Sequence, residues 1–284
     1  MTRAKGASRE GASREGASRE GASREGASRE GASREGASRE GASREGASRE
    51  GASRERRFTY AHPRPALTVD AVVLAFDAGR LSVLLVKRGL PPFEGAWALP
   101  GGFVHVDETL DRAVRRELAE ETGLTDVYLE ELKTFSRVDR DPRERVISVA
   151  FVALVRGRST RIHEGSDAAE ARWFALEALP PLAFDHAEIL EAARERLRAR
   201  VRTRPVGFEL LPERFPLRAL QELYEAVLGV SLDKRNFRKR VLALDVLEPT
   251  GELEASVAHR AAALYRFDEK RYRRLERSGF VFEI

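Results

Sequence analysis

The chain is expected to be an α/β protein. A mixed-sheet sandwich is followed by a smaller α+β module of two helices and a hairpin, and preceded by a disordered repeat tail. Three observations point there. Residues 6–55 are ten exact copies of Gly-Ala-Ser-Arg-Glu, from which no core can be built. Between residues 66 and 175, short β-branched apolar runs alternate with turn residues and with one amphipathic helical stripe. Beyond Pro205 two helical stripes follow each other closely, the second of them strongly basic. The 284 residues suffice for two ordinary domains. The division expected is tail 1–57, sandwich 58–204 and C-terminal module 205–284.

Composition excludes several classes. There is no cysteine, hence neither a disulfide framework nor a thiolate site. No apolar run reaches the roughly 18 residues of a membrane span. The N-terminus is basic but lacks an apolar segment, so it does not read as a signal peptide; a cytoplasmic protein with no membrane partner is expected. The formal charge of +4 is too small by itself to imply nucleic acid, so its distribution matters more.

In the tail, Ala is the one apolar residue of each repeat, and five is neither a helical nor a strand period. No face can be buried to offset the entropy of ordering. Each Glu precedes the next Arg by four residues (Glu10 and Arg14, for instance), which favours helix. A Gly in every repeat opposes it by about 1 kcal/mol each. A charge-neutral disordered tail follows, with a spacer role as the functional alternative.

Ordered sequence begins near Phe58. Residues 67–76 and 81–87, joined by Asp77-Ala78-Gly79-Arg80, read as a β-hairpin. A Pro- and Gly-rich loop (89–95) leads to a short strand at 97–99 and then to Gly101-Gly102. Paired glycines permit a tight backbone turn, either to bring the loop close to a ligand or simply to turn the chain. Residues 102–124, GFVHVDETLDRAVRRELAEETGL, predict a helix with Thr109 or Asp107 as N-cap. Its apolar stripe is Leu110, Ala113, Val114 and Leu118, and Gly123 sits where a C′ glycine ends a helix. Strands are expected at 127–135, 146–155 and 171–174, with a polar loop at 139–143. Asp185, with Glu188 three residues on, has the pattern of a capping box. It opens a helix that buries Ile189, Ala193, Leu197 and Val201.

Glu117, Glu120 and Glu121 fall at i, i+3 and i+4 and so share one helix face. Such carboxylates repel by about 0.2–0.5 kcal/mol per pair even when solvated. A hard divalent cation gives the arrangement a purpose, because it takes oxygen ligands. The spacing runs Gly102, five residues, Glu108, seven residues, Arg116-Glu117-Leu118, one residue, Glu120-Glu121, one residue, Gly123-Leu124. It resembles the Nudix box at every fixed position, a match whose chance probability is on the order of 10⁻⁹ per start.

Residues 66–198 or so therefore resemble the Nudix hydrolase family. The resemblance implies an α/β/α sandwich and Mg²⁺-dependent hydrolysis (Mn²⁺ as substitute) of a nucleoside diphosphate linked to another group. It implies Glu117 and Glu121 as leading metal ligands, Glu120 as a third and Glu108 as a further or water-mediated one. Arg116 would orient a box carboxylate, and the catalytic site would comprise Glu117, Glu120, Glu121 and Arg116. Gly101 and Gly102 would form the substrate loop. The general base often lies outside the box; Glu170, His186 and His105 are candidates, each with a plainer structural alternative. Arg88, Phe93, Trp97 and Phe135 are candidates to line an adenine or ribose pocket, or else core and surface residues.

In the C-terminal module, residues 216–228 predict a helix with Pro216 first and Gly229 after its end. It buries Leu217, Leu220, Leu223, Tyr224, Val227 and Leu228. Asp233 is the expected cap of a second helix, 234–244, with Phe237, Val241 and Leu244 inward and Lys234, Arg235, Arg238 and Lys239 outward. Residues 247–251 and 263–267 read as a hairpin wing. A dimerisation or lid module would have the same periodicity. The run FPLRALQELYEAVLG, LDKRNFRKR, PTG and ALYRFD resembles the winged helix of the Nudix-related regulators of NAD metabolism, the NrtR type, over about 206–269. That resemblance implies a nucleotide effector, ADP-ribose first, and a homodimer on double-stranded DNA. Lys234, Arg235, Arg238 and Lys239 then become DNA contacts. The box is intact, whereas many such regulators carry an eroded one. The expected function is thus a Nudix pyrophosphatase acting on ADP-ribose and coupled to transcription. The alternatives are a sensor-repressor with little hydrolysis, or a hydrolase of oxidised nucleotides.

Overall fold

A computed structural model describes residues 58–157, 168–255 and 261–283. The repeat tail expected at 1–57 lies outside the described residues.

The sandwich is organised around β1 (Ala66–Asp77). Its odd residues Val69, Ala71, Val73 and Ala75 belong to one core, and its even residues Val72, Leu74 and Phe76 to another. A strand alternates faces with period two, so this strand is buried on both sides and reads as an almost unbroken apolar run. It pairs antiparallel with β2 (Arg80–Arg88), and parallel with a later strand over Ala66↔Val146 to Ala75↔Val155. The short β3 (Trp97–Ala98) and β4 (Gly101–Phe103) follow, β4 pairing with β1. α1 (Leu110–Thr122) covers the odd face with Ala113, Val114 and Leu118. Thr109 is its N-cap, accepting from Arg112 N at 3.3 Å, and Gly123 closes it in the left-handed conformation.

β5 (Tyr128–Phe135), β6 (Val146–Val155) and β7 (Ala168–Ala175) complete a seven-stranded mixed sheet, with main path β3-β2-β1-β6-β5 and β7 on β2. α2 (His186–Thr203) covers the even face through Ile189, Leu190, Ala193 and Leu197. The two helix layers enclose the sheet, giving the α/β/α sandwich. The capping box expected at Asp185 does not form: Asp185 makes no side-chain cap bond, because Arg140 takes both its carboxylate oxygens.

A 3₁₀ turn, Pro205–Leu210, leads into the C-terminal module. β8 (Phe215–Pro216) precedes α3 (Leu217–Leu228), so Pro216 stands at the N-cap rather than as the first helical residue. α4 (Lys234–Ala243) is capped by Asp233, which accepts from Asn236 N at 2.8 Å. β9 (Leu247–Leu253) and β10 (Ala263–Phe267) form the wing, and β10 also pairs with β8. This is an α+β winged helix-turn-helix. An additional helix, α5 (Glu269–Arg277), follows and buries Tyr272. Its other positions are mostly charged, which is why no apolar stripe announced it. The even-face core of the sandwich runs without a break into Phe208, Leu220, Leu223, Tyr224 and Val227. α2 is the main bridge: Val201 approaches Gly207, and Arg198 Nε donates to Val227 O at 3.3 Å.

Candidate functional site

A cleft of about 460 Å³ opens beside β4, the C-terminal end of β2 and the C-terminal half of α1. Gly101, Gly102, Arg116, Glu117, Glu120 and Glu121 all line it. α1 supplies the carboxylates because its apolar stripe docks on the sheet and leaves the adjoining strip at the rim. The glycine pair is what lets the carboxylates approach. A Cβ on Gly102 would sit 2.3 Å from Glu117 Oε1, and one on Gly101 would sit 2.2 Å from Val69 O. The Gly101 N–H donates to Glu121 Oε2 at 2.9 Å.

Arg116 is the hub of the acidic end. Nη2 and Nε donate to Glu108 at 2.8 and 3.2 Å, and Nη1 donates to Glu117 at 2.8 Å and to Glu120 at 3.1 Å. Hydrogen bonds from Arg116 hold the Glu108 carboxyl down at about 2, against some burial. Burial dominates the other way at Glu117, whose pKa is raised in spite of Arg116. Glu121 has no cationic partner in hydrogen-bond range among the described residues, and burial pushes it up to about 8, with the Gly101 hydrogen bond acting against this. Two carboxyls disfavoured as anions form a donor set of hard oxygens that a divalent cation would suit. As Arg116 holds three of the four, no three acidic or histidine side chains are gathered around one point among the described residues.

The floor of the cleft is a buried polar network that sequence reasoning missed in part. Asp70 of β1 accepts from Ser148 Oγ, lies 3.4 Å from Arg140 Nη2 and 3.4 Å from His186 Nε2. Arg140 is bidentate to Asp185 at 2.7 and 3.0 Å. His186 Nδ1 accepts from Leu99 N at 2.9 Å, which ties the glycine loop to the start of α2. Burial lowers the His186 pKa. The signal available was Asp70, a lone charge inside the apolar run of β1, since a buried charge requires partners.

Other candidates fall apart from the acidic end. Glu170 stands in β7 beside Lys87 at 4.0 Å and does not line the cleft. His105 lines it from an exposed position, 3.8 Å from Glu108. Phe135 is a core residue, Trp97 packs edge-on against Phe174, and Phe93 stands behind the cleft wall against Phe184. Arg88 does line the cleft, joined by Arg143 and Phe184.

The basic helix is a separate surface. Lys234, Arg235 and Lys239 of α4 are exposed, as is Arg240, while Arg238 is half-buried with Nε unpartnered. The half-burial corrects the expectation that Arg238 points outward with the rest: it lies one residue beyond Phe237, at the edge of the buried stripe. None of these five cations is in an ion pair among the described residues.

The sandwich with a box-bearing cleft and the appended winged helix define a class: a Nudix-fold protein carrying a DNA-binding-type module. The NUDIX domain family matches residues 64–193, and the NrtR DNA-binding winged helix domain matches residues 207–267. The ADPR responsive transcriptional repressor NtrR of Acinetobacter baylyi is 36% identical over 210 residues, 72% of this chain and 83% of that protein. The ADP-ribose pyrophosphatase of Methanocaldococcus jannaschii is 45% identical over 132 residues, 46% of this chain and 73% of the relative. The crystal structure of Shewanella oneidensis NrtR complexed with a 27mer DNA is 38% identical, with a TM-score of 0.63, covering 71% of this chain and 93% of that one. The chain belongs to the NrtR family of Nudix-related regulators. No helix among the described residues is long and apolar enough to cross a membrane.

Proposed function

We propose that this chain is a DNA-binding regulator whose Nudix cleft binds ADP-ribose and hydrolyses it in a Mg²⁺-dependent reaction. The observation that carries the enzymatic half is the complete set of Glu108, Glu117, Glu120 and Glu121 around a glycine loop, with Glu121 half-buried and without a cationic partner among the described residues. The relatives that carry the ADP-ribose names support the choice of ligand. Glu117 and Glu121, with Glu120 and Glu108 in support, would hold Mg²⁺ or Mn²⁺. A divalent cation there supplies charge neutralisation for the diphosphate and a more acidic bound water. The chain's own part is to hold the carboxylates: Gly101 fixes Glu121, and Arg116 fixes the other three until a cation competes for them.

The regulatory half rests on α4. Five unpaired basic side chains on or beside one exposed helical face suit a phosphate backbone, with Lys234, Arg235, Arg238 and Lys239 as the DNA contacts. A homodimer would match a two-fold operator. Working boundaries are 58–204 for the sandwich and 205–284 for the winged helix, in a cytoplasmic protein. Because α2 begins at the floor of the cleft and ends against α3, it is the natural route between effector and DNA.

The test is a turnover screen of purified protein against ADP-ribose and other nucleotides, with and without Mg²⁺, alongside duplex binding with and without ADP-ribose. AMP and ribose 5-phosphate should appear only with metal, and DNA affinity should change with ADP-ribose. Failure to turn over any substrate, with DNA binding still responsive, would favour a second reading: a sensor with little or no hydrolysis. The observation behind that alternative is Arg116, already seated among three carboxylates where a cation would go.

A further inference from the structure

The glutamates account for only part of the cleft lining. Arg88, from the last position of β2, and Arg143, from the loop before β6, also line it and converge on the ring of Phe184, with Arg143 lying over Phe103 of β4 as well, 5.4 Å from its centroid. Their guanidinium carbons lie 4.8 and 5.9 Å from the Phe184 centroid. Phe93 supports that ring edge-on at 4.9 Å. Phe184 and Phe93 have left-handed backbones, φ 52° and 62°, a conformation that bulky residues keep only where the surroundings impose it.

Each guanidinium is tied along one edge. Arg88 donates Nε to Pro92 O at 2.8 Å and Nη2 to Leu90 O at 3.2 Å. Arg143 donates Nε and Nη2 to the two oxygens of Asp141 at 3.0 and 2.7 Å. Neither uses its Nη1 among the described residues, and Arg88 has no carboxylate partner there at all. Burial first, and the neighbouring Arg143 second, lower the Arg88 pKa, as expected of two cations left facing each other. Planar donors held rigidly with an edge to spare are the geometry that takes phosphate oxygens.

We propose that Arg88 and Arg143, converging on Phe184, form a metal-independent anion subsite for the phosphate oxygens of the nucleotide. Effector binding and diphosphate cleavage then depend on different residues of one cleft. This rests on the proposed nucleotide ligand, and the test separates the two. Isothermal titration of the full chain in EDTA uses ADP-ribose and inorganic pyrophosphate as probes, on the wild type, Arg88→Gln, Arg143→Gln and the corresponding Lys variants. Wild type should bind ADP-ribose without metal. Each Gln variant should weaken that binding roughly tenfold to a hundredfold, the loss of one charge-assisted contact. Should the Gln variants melt early, the Lys variants carry the test: they keep the charge but lose the fork, and must still bind more weakly.

Unchanged ADP-ribose affinity in folded Arg88 and Arg143 variants overturns the subsite and leaves the ADP-ribose reading intact. Binding by wild type only when Mg²⁺ is present overturns it too. A wild type that ignores ADP-ribose but binds pyrophosphate through Arg88 sinks the choice of ligand and keeps the subsite.

Discussion

Helices α1 and α4 are both dense with charge, and they use it in opposite ways. On α1 the charges answer one another: Arg116 reaches Glu108, Glu117 and Glu120, and Arg115 reaches Asp111 at 3.1 Å. On α4 five cations find no anion among the described residues, although the rest of the C-terminal module pairs its arginines freely, Arg214 with Glu252 and Arg218 with Glu254 among them. Exposed pairs are cheap to make, worth about 0–1 kcal/mol. A helix that makes none therefore presents its charge outward, where counterion release from a polyanion rewards it. For the function proposed, α1 has to trade its internal cation for another, whereas α4 is a surface that has nothing to give up.

The largest effect should come from the residue of α1 that stands outside the arginine hub. Glu121→Gln is expected to lower Mg²⁺-dependent ADP-ribose turnover by about a hundredfold or more, while duplex affinity stays unchanged. The same substitution should stabilise the metal-free protein. The folded carboxyl is pushed up to about 8 by burial, while the unfolded one ionises near its ordinary value. The native state therefore loses stability as pH rises through that window, and Gln removes the loss. A gain of about 1–2 kcal/mol at pH 7.5, read as several degrees in Tm, is the expectation. A Glu121→Gln protein that is less stable without metal would show that Glu121 is a structural residue.

On α4, Arg235→Ala with Lys239→Ala should weaken duplex binding about tenfold to a hundredfold and flatten the slope of log affinity against log salt by about two. The matched control is Arg112→Ala with Arg115→Ala on α1, for which no more than a roughly twofold change is expected. Equal losses from the two pairs would mean that net charge, rather than a dedicated helix, drives the binding.

A smaller effect separates the two glycines. In Gly102→Ala the new Cβ meets the flexible end of Glu117, so turnover should fall about tenfold with little change in stability. In Gly101→Ala it meets the carbonyl of Val69, a backbone atom that cannot move aside, so stability should fall by about 1–3 kcal/mol. Chemical denaturation and steady-state rates on the two variants check the contrast.

The difference between α1 and α4 was largely visible in the chain before any coordinates. Periodicity placed α4 within a residue of its ends and α1 to within the choice between Thr109 and Asp107 as N-cap, of which Thr109 is the cap, because each has a buried stripe, an N-cap and a stop. The box spacing placed Glu117, Glu120 and Glu121 on one cleft rim for the same reason, since three residues within one turn need no tertiary information, but it could not show that Arg116 and Gly101 hold them apart. What escaped depends on contacts far apart in sequence. Arg140 meets Asp70 and Asp185 across 70 and 45 residues, and that meeting cancelled the capping role expected of Asp185. Arg143 looked like one more charge in a polar loop until the fold set it against Phe184. Phe135 looked available for a ligand because an aromatic at a strand end says nothing about which face it takes. α5 went unread because its single buried position, Tyr272, leaves no stripe.

The smallest expected effect is a loss of stability on acidification, opposite in sense to that of Glu121 on α1, and it comes from the floor between cleft and α2. His186 is buried with Nδ1 accepting from Leu99 N, so its proton sits on Nε2, towards Asp70. Burial is the largest influence on it and lowers its pKa; Asp70 and Asp185 pull the other way, while Arg140 and Arg88 reinforce the lowering. The unfolded imidazole takes a proton below about 6.5 and the folded one does not. The unfolded state therefore binds more protons there, and stability falls as pH drops from about 7. Glu121 acts in the opposite sense over part of the same range, so the comparison belongs in Glu121→Gln protein. In that background, unfolding free energy should drop between pH 7.5 and 5.5 by about 1 kcal/mol more with His186 present than in His186→Asn. A smaller drop with His186 present would mean that His186 takes a proton more readily in the fold than in the unfolded chain, with Asp70 outweighing its burial. The link from the glycine loop to α2 would then be an ion pair rather than a neutral hydrogen bond.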